Sequence, residues 1–433
     1  MSTLSDLIRE KNTLPLGNVY LKTINGKTYT YYQYFENGNR FTKLINKEEA
    51  DKLKTQIKRR KELETLIKEA KRKDRSFVLS KNSENLTGYV MSDNVPVAEF
   101  SNGELISIDE KLAPLIIKRT HSLEKFLSLR VIDMSRTNAR LLKKALNIQI
   151  DEEFKIPLFA YALSISDHFW FKPKYSKLKY QDIAPNNDFY SDTSLKGDTT
   201  IFPHQIKLTP EITTTGSFEK GWKLINNTWW LYKSGNDKQL FSEMFCYEFA
   251  KLIDINTATY ELDDGYIRSK NFATIYNFEP IASLAGEDDS YNHIFNIIYK
   301  INRDIAKQYI KLIFFDSVTN NIDRHNENLG LLRNRQTGKI VSLAPNFDNN
   351  LALISTVDAL NYPNKDSFIK MFVDFLKNNQ TALELFNEIE FIDISKIDVN
   401  NIINKIPIDV DNKEDISNKI YQRYSFLKNI FNK

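Results

Sequence analysis

In the stretch NNIDRHNENLG, residues 320–330, Asp323 and Asn328 stand five apart in D-x-x-x-x-N spacing, and a further acid, Asp348, follows twenty residues later in LAPNFDNN. These residue types suit phosphoryl transfer. A carboxylate can guide and deprotonate an incoming hydroxyl, while an amide oxygen and a second carboxylate are the hard oxygen ligands that Mg2+ prefers. The stretch is too polar for a core, yet the run just before it, YIKLIFF, reads as a buried helix able to present it. The Asp–Asn pair also fits ordinary turn chemistry, in which both side chains bond their own backbone. The later Asp348 adds weight to the catalytic reading.

The other half of such a site lies upstream, in TTTGSFEKGWKLINNTWWLYKSG. Gly216 is expected in a Thr/Ser-rich turn between strands, where backbone N–H groups can cradle phosphate. Lys220 and Lys233 are the cationic candidates, and Lys233, at the end of an aromatic strand, is placed to reach inward. A Gly turn or a strand-end Lys alone is usually an ordinary surface feature. The order carries the signal: Gly turn, strand Lys, helix Glu, D-x-x-x-x-N, Asp.

The elements that must position these residues can be read from periodicity. Residues 1–75 predict a β-hairpin meander, with tight turns at Asn25-Gly26 and Asn37-Gly38, followed by one long charged helix that opens on Asn46 and Glu49 in capping-box spacing. That helix holds a dense basic patch, Lys58, Arg59, Arg60 and Lys61, with Lys71, Arg72, Lys73 and Arg75 near its end. A solvated face or linker accounts for it better than nucleic-acid binding, because Glu residues are interleaved. Residues 76–197 predict short strands, two helices around 122–148, and an irregular aromatic and polar connector from SDHFWFKP onward. Residues 198–289 predict a β-rich lobe beginning with TTIFPHQIKL and holding one helix. Residues 290–433 read as a larger helical lobe. The fold class expected is α+β, a two-lobed kinase-like arrangement with small N-terminal α+β subdomains.

Composition narrows the classes. In 433 residues, 60 Lys and Arg face 56 Asp and Glu, so bulk charge does not imply a nucleic-acid partner. One cysteine, Cys246, excludes an intramolecular disulfide framework, and five His give no obvious zinc cluster. The N-terminus does not read as a signal sequence, and no window approaches a membrane span, so a cytoplasmic protein with no membrane partner is expected.

The motifs GSFEK, LYKSG, SEMFCYEFAKLIDI, NNIDRHNENLG and APNFD, in that order, resemble HipA-type kinases, the toxin components of bacterial HipBA-like toxin–antitoxin systems. FLSLRVIDMSRTNARLLKKALNI and SDHFWFKP resemble the N-terminal parts of such proteins from low-GC Gram-positive bacteria. The resemblance covers roughly residues 76–360. It implies an ATP- and Mg2+-dependent serine/threonine protein kinase in which Asp323 acts on the acceptor hydroxyl and Asn328 with Asp348 holds Mg2+. Lys233 contacts the ATP phosphates, and Gly216, Ser217 and Lys220 form the phosphate loop. His325 braces the catalytic loop, Glu243 rather than Glu248 orients the N-lobe, and backbone around Tyr276 to Phe278 meets adenine. Thr213 is the nearest match to a self-phosphorylated residue, with Thr214, Thr215 and Ser217 as alternatives. The implied partners are a protein substrate, an aminoacyl-tRNA synthetase in known members, and a HipB-like DNA-binding antitoxin. The sequence departs from ordinary kinases in having NFDNN where D-F-G is usual.

Two rivals stand beside this reading. D-R-H-x-x-N loops also occur in lipid kinases, so a lipid or small-molecule substrate is one. The other is a catalytically weak nucleotide-binding scaffold whose basic N-terminal helix touches nucleic acid.

Overall fold

The computed structural model describes residues 7, 10, 11, 13–36, 39–79, 86–146, 148, 152–200, 208–355, 357 and 359–431. The chain divides into two compact units, Met1–Tyr89 with Lys172–Ala184, and Val90–Phe171 with Pro185–Lys433.

In the first unit, strands β1 (Asn18–Ile24), β2 (Lys27–Glu36) and β3 (Asn39–Ile45) form an antiparallel meander. Asn25 and Gly26 both take positive φ, 50° and 75°, the geometry of the two-residue turn that matches strand twist. The second turn expected, Asn37-Gly38, lies outside the described residues. Helix α1 (Lys47–Leu79) starts where the Asn46 side chain accepts the Glu49 N–H at 2.8 Å, and it buries Ala50, Ile57, Leu63 and Ile67. Half of the basic patch at 58–61 serves the fold. Arg59 pairs with Glu10, and Arg60 bonds Glu64 and the carbonyls of Lys11 and Leu14. The side chains of Lys71, Arg72, Lys73 and Arg75 lie outside the described residues.

The four-stranded sheet β6-β5-β4-β7 is built from β4 (Gly88–Ser92), β5 (Val95–Ser101), β6 (Glu104–Ile108) and β7 (Phe169–Pro173). Strand β7 corrects the sequence expectation of an irregular connector. Phe169, Trp170 and Phe171 are almost wholly buried, and an aromatic run with that much apolar surface is stable only when paired and packed.

A second antiparallel sheet, in the order β10-β11-β9-β8, carries the expected β-rich lobe. Its strands are β8 (Lys220–Ile225), β9 (Thr228–Lys233), β10 (Tyr260–Asp263) and β11 (Tyr266–Lys270). The strand expected at TTIFPHQIKL falls mostly on residues 201–207, outside the described set. Helix α2 (Asp237–Leu252) crosses from this sheet into the larger lobe. Asn236 and Gln239 cap it reciprocally, and Phe241, Phe245 and Phe249 stack along one stripe.

That stripe enters a large apolar core with α3 (Tyr291–Ile301), α4 (Arg303–Thr319), α5 (Ser367–Asn378), α6 (Gln380–Asn387), α7 (Lys396–Lys405) and α8 (Lys413–Asn429). A hairpin of β13 (Gly330–Asn334) and β14 (Ile340–Leu343), extended by β12 (Tyr276–Pro280), interrupts the helical region. The polar loop after α4 enters β13 at Gly330 and the loop after β14 leaves beyond Leu343, the partner of Leu331, so both hang from the same open end of this hairpin. Among the described residues no helix is long and apolar enough to cross a membrane.

Candidate active site

Strand geometry sets the first pair of cations. Lys220 and Lys233 are direct partners across the β8–β9 ladder, so their side chains leave the same face of the sheet. Both are buried, each 4% exposed. Lys233 Nζ donates to Asp348 Oδ1 at 2.7 Å and lies 3.7 Å from Glu243 Oε1 on α2. The Lys220 carbonyl accepts the Ser194 hydroxyl at 2.7 Å, but its ammonium makes no hydrogen bond or ion pair among the described residues. A cation taken out of water without a partner is costly, which marks a place where a negative ligand would compensate.

Gly216 sits just upstream, at φ +92°. A Cβ there would stand 2.5 Å from Lys220 Nζ, so only glycine admits both the backbone conformation and the close amine. The turn does not lie between two strands as its sequence suggests. It follows a single 3-10 turn, Glu211–Thr213, and leads into β8. Arg136 fixes it: this buried guanidinium donates to the carbonyls of Thr214, Thr215 and Gly216 at 2.6, 2.7 and 2.5 Å. With three successive carbonyls turned toward Arg136, the loop is held at a constant shape. The hydroxyls of Thr213 and Thr214 are buried and donate to main-chain carbonyls, Thr215 is half-buried, and Ser217 is exposed.

The second group of residues follows α4. Asn320, in left-handed conformation, ends the helix. One turn back, Asp316 holds Arg324 through two bonds of 2.9 and 3.0 Å in a fully buried pair. Arg324 also donates to the carbonyls of Asn328 and Phe347 from a single nitrogen, at 2.8 and 2.7 Å, and to the side chains of Asn346 and Asn349. One guanidinium thus ties the D-x-x-x-x-N loop to the Asp348 loop. Asn328 Nδ2 donates to the Asp323 carbonyl at 3.0 Å and leans on its carboxylate at 3.3 Å. Asp348 takes φ +60°, tolerable for Asp, while its N–H donates to the Tyr260 hydroxyl and the next N–H to Glu243. His325 is exposed, and its Nδ1 accepts the Glu327 N–H at 3.2 Å, a brace within the loop that is slight beside Arg324.

Electrostatics separates the carboxylates. Burial pushes Asp323 above the usual range, and the charge of Asp348 adds to this. Burial would raise Asp348 as well, but Lys233 and Lys220 outweigh it and hold this carboxyl well below the ordinary value. Lys233 is held above its ordinary value because Asp348 and Glu243 together overcome desolvation. Lys220 has less compensation, and burial pulls it down to about 8.

The structure therefore brings Lys220, Lys233, Glu243, Asp323, Asn328 and Asp348 into one charge-coupled cluster, with Gly216 beside it. Tyr276 and Phe278 stand apart. Their N–H groups are already bonded to the carbonyls of Ala273 and Ser166, and the Phe278 ring packs on Phe347, the neighbour of Asp348. Arg136, Arg324 and Tyr260 were not among the residues expected from sequence.

The donor set suits Mg2+. Asp348 offers a strongly ionised carboxylate, and Asn328, with its amide nitrogen turned to Asp323, has an amide oxygen that accepts no hydrogen bond among the described residues. Among the described residues no ready-made cluster of three His, Cys, Asp or Glu exists.

No family model matches the chain, and no curated protein matches it. Among solved structures it is similar to the Helicobacter pylori proinflammatory kinase CtkA, with TM-score 0.37 and 19% identity, over 48% of this chain and 90% of that one. It is also similar to a chain of the Shewanella oneidensis MR-1 HipA and HipB toxin–antitoxin complex with operator DNA, with TM-score 0.48 and 11% identity, over 80% of this chain and 97% of that one.

Proposed function

We propose that this chain is an ATP- and Mg2+-dependent kinase of HipA type that phosphorylates a serine or threonine of a protein. The observation that carries the reading is the unpaired, buried Lys220 beside Gly216 and beside the Lys233–Asp348–Glu243 cluster. A phosphate chain laid against the Gly216 turn would give Lys220 the counter-charge it lacks. Asp348 and Asn328 would hold Mg2+, which neutralises charge on the transferred group. Asp323, less acidic than Asp348, is the group suited to accept the proton of an incoming hydroxyl. Lys233, held charged by two carboxylates, orients phosphate, and Arg136 keeps the loop carbonyls turned away from it.

Within this reading the chain is a growth-inhibiting toxin with a HipB-like antitoxin partner, and an aminoacyl-tRNA synthetase is the first substrate to try. Self-phosphorylation would fall between Thr213 and Ser217. Ser217 is already exposed, whereas Thr213 and Thr214 would have to leave their carbonyl partners first. The test is incubation with radiolabelled ATP and Mg2+, wild type beside Asp323→Asn, followed by phosphosite mapping. Transfer is expected to fall at least about a thousandfold in Asp323→Asn with ATP binding retained. Equal labelling of both proteins would overturn the assignment of Asp323.

A further inference from the structure

The catalytic cluster leaves the N-terminal unit without a role. Its charge is lopsided: residues 1–75 hold 18 Lys and Arg against 10 Asp and Glu, whereas the remaining residues hold 42 against 46. A basic module joined to a mildly acidic body is the balance expected of a polyanion-binding appendage.

The sheet register shows which surface is built for it. Residues directly opposite in neighbouring strands share a face. Tyr20 pairs with Tyr31, Lys22 with Tyr29 and Ile24 with Lys27, while Tyr31 pairs with Leu44 and Gln33 with Thr42. With Arg40 on the same face, this surface carries three tyrosines and three cations. None of its positions is Asp or Glu. The opposite face holds buried Ile45 and Lys43, which bonds Glu49 at the start of α1. Lys22, Lys27 and Arg40 are exposed, as are Tyr29 and Leu44, and the Tyr20 and Tyr31 rings stack at 5.8 Å. The basic patch of α1 competes poorly for the same role, since Arg59 and Arg60 are taken by Glu10, Glu64 and main-chain carbonyls.

We propose that this face of the β1–β3 meander binds single-stranded nucleic acid. Lys22, Lys27 and Arg40 would contact the phosphates, and the tyrosines would stack on unpaired bases. Single strands are favoured over duplex because a duplex keeps its base faces to itself and offers a flat sheet only edges and backbone. This inference stands apart from the kinase reading, since none of these residues belongs to the catalytic cluster.

The test is fluorescence anisotropy of the full-length protein with a labelled 20-nucleotide single strand and with the matching duplex, at 50 and 200 mM salt. The single strand is expected to bind more tightly. The triple variant Lys22→Ala/Lys27→Ala/Arg40→Ala is expected to lower the log–log salt slope by about 2. Tyr29→Ala is expected to weaken binding about tenfold and Tyr29→Phe to leave it unchanged, which separates a ring contact from loss of fold. Lys58→Ala/Lys61→Ala on α1 serves as the neighbouring control and should bind as wild type. Tighter binding to duplex, an unchanged slope in the triple variant, or loss confined to the α1 variant would each overturn the proposal.

Discussion

Two cations that both act on Asp348 have opposite surroundings. Arg324 is saturated: every nitrogen of its guanidinium has a partner, and Asp316 balances its charge. Lys220 is 4% exposed, and its ammonium has no direct partner among the described residues. A fully satisfied buried charge fixes geometry, because any displacement breaks several strong bonds together. An unsatisfied one destabilises the empty fold and is retained where a ligand supplies what is missing. The difference teaches how to tell the frame of this site from its working face. Arg324 and Tyr260 are frame. Under the proposed function, Lys220, Asp323 and the Asn328 oxygen would be the working face.

Removing the frame should do the greatest damage. Arg324→Met leaves Asp316 buried without a counter-ion and unties the two loops, so urea denaturation should show a loss of about 3–5 kcal/mol. A loss below about 1 kcal/mol would mean that the clamp is redundant.

The opposite substitution should have the opposite sign. Lys220→Met is expected to stabilise the protein, because an amine pulled from its ordinary value to about 8 disfavours folding by about 3 kcal/mol while it stays protonated. The pH dependence follows. Below pH 8 both folded and unfolded chains hold the proton and the penalty is complete. Between pH 8 and 10.5 the unfolded chain still binds the proton and the folded one does not, so wild-type stability rises and the advantage of the variant fades. Parallel urea titrations of the two proteins at pH 7 and pH 10 would check this. A gap that does not narrow would contradict it.

Arg136→Lys should give the smallest effect. It keeps the charge but loses the fork that gathers three carbonyls. A rise in KM for ATP of about tenfold with kcat little changed is expected from steady-state kinetics, since the loop would be looser while the reacting groups stay in place.

These contrasts also explain how much was legible in the sequence. Lys233, Glu243, Asp323, Asn328 and Asp348 could be found because each sits at a fixed offset within a local motif, and strand alternation places Lys220 beside Lys233 once the β8–β9 hairpin is drawn. The Asn25-Gly26 turn and the cap at Asn46 were readable for the same local reason. Arg136 was not: its partners lie 78 to 80 residues away, and nothing in MSRTN says which carbonyls it will meet. Arg324 was in plain view between Asp323 and His325, yet loop bracing was assigned to His325, because the count of partners that makes Arg324 decisive exists only in three dimensions. Strand β7 was missed because a short aromatic run flanked by polar residues looks like a connector until burial reveals its pairing.

The most direct measurement is calorimetric titration of ATP with Mg2+ into wild type and into Lys220→Met, each in the full-length chain. If Lys220 is the cation that phosphate completes, wild type binds one nucleotide and Lys220→Met binds at least about a hundredfold more weakly, although it is the more stable protein. Equal affinity in the two would contradict the account, because the unpaired amine would then have no nucleotide phosphate to meet.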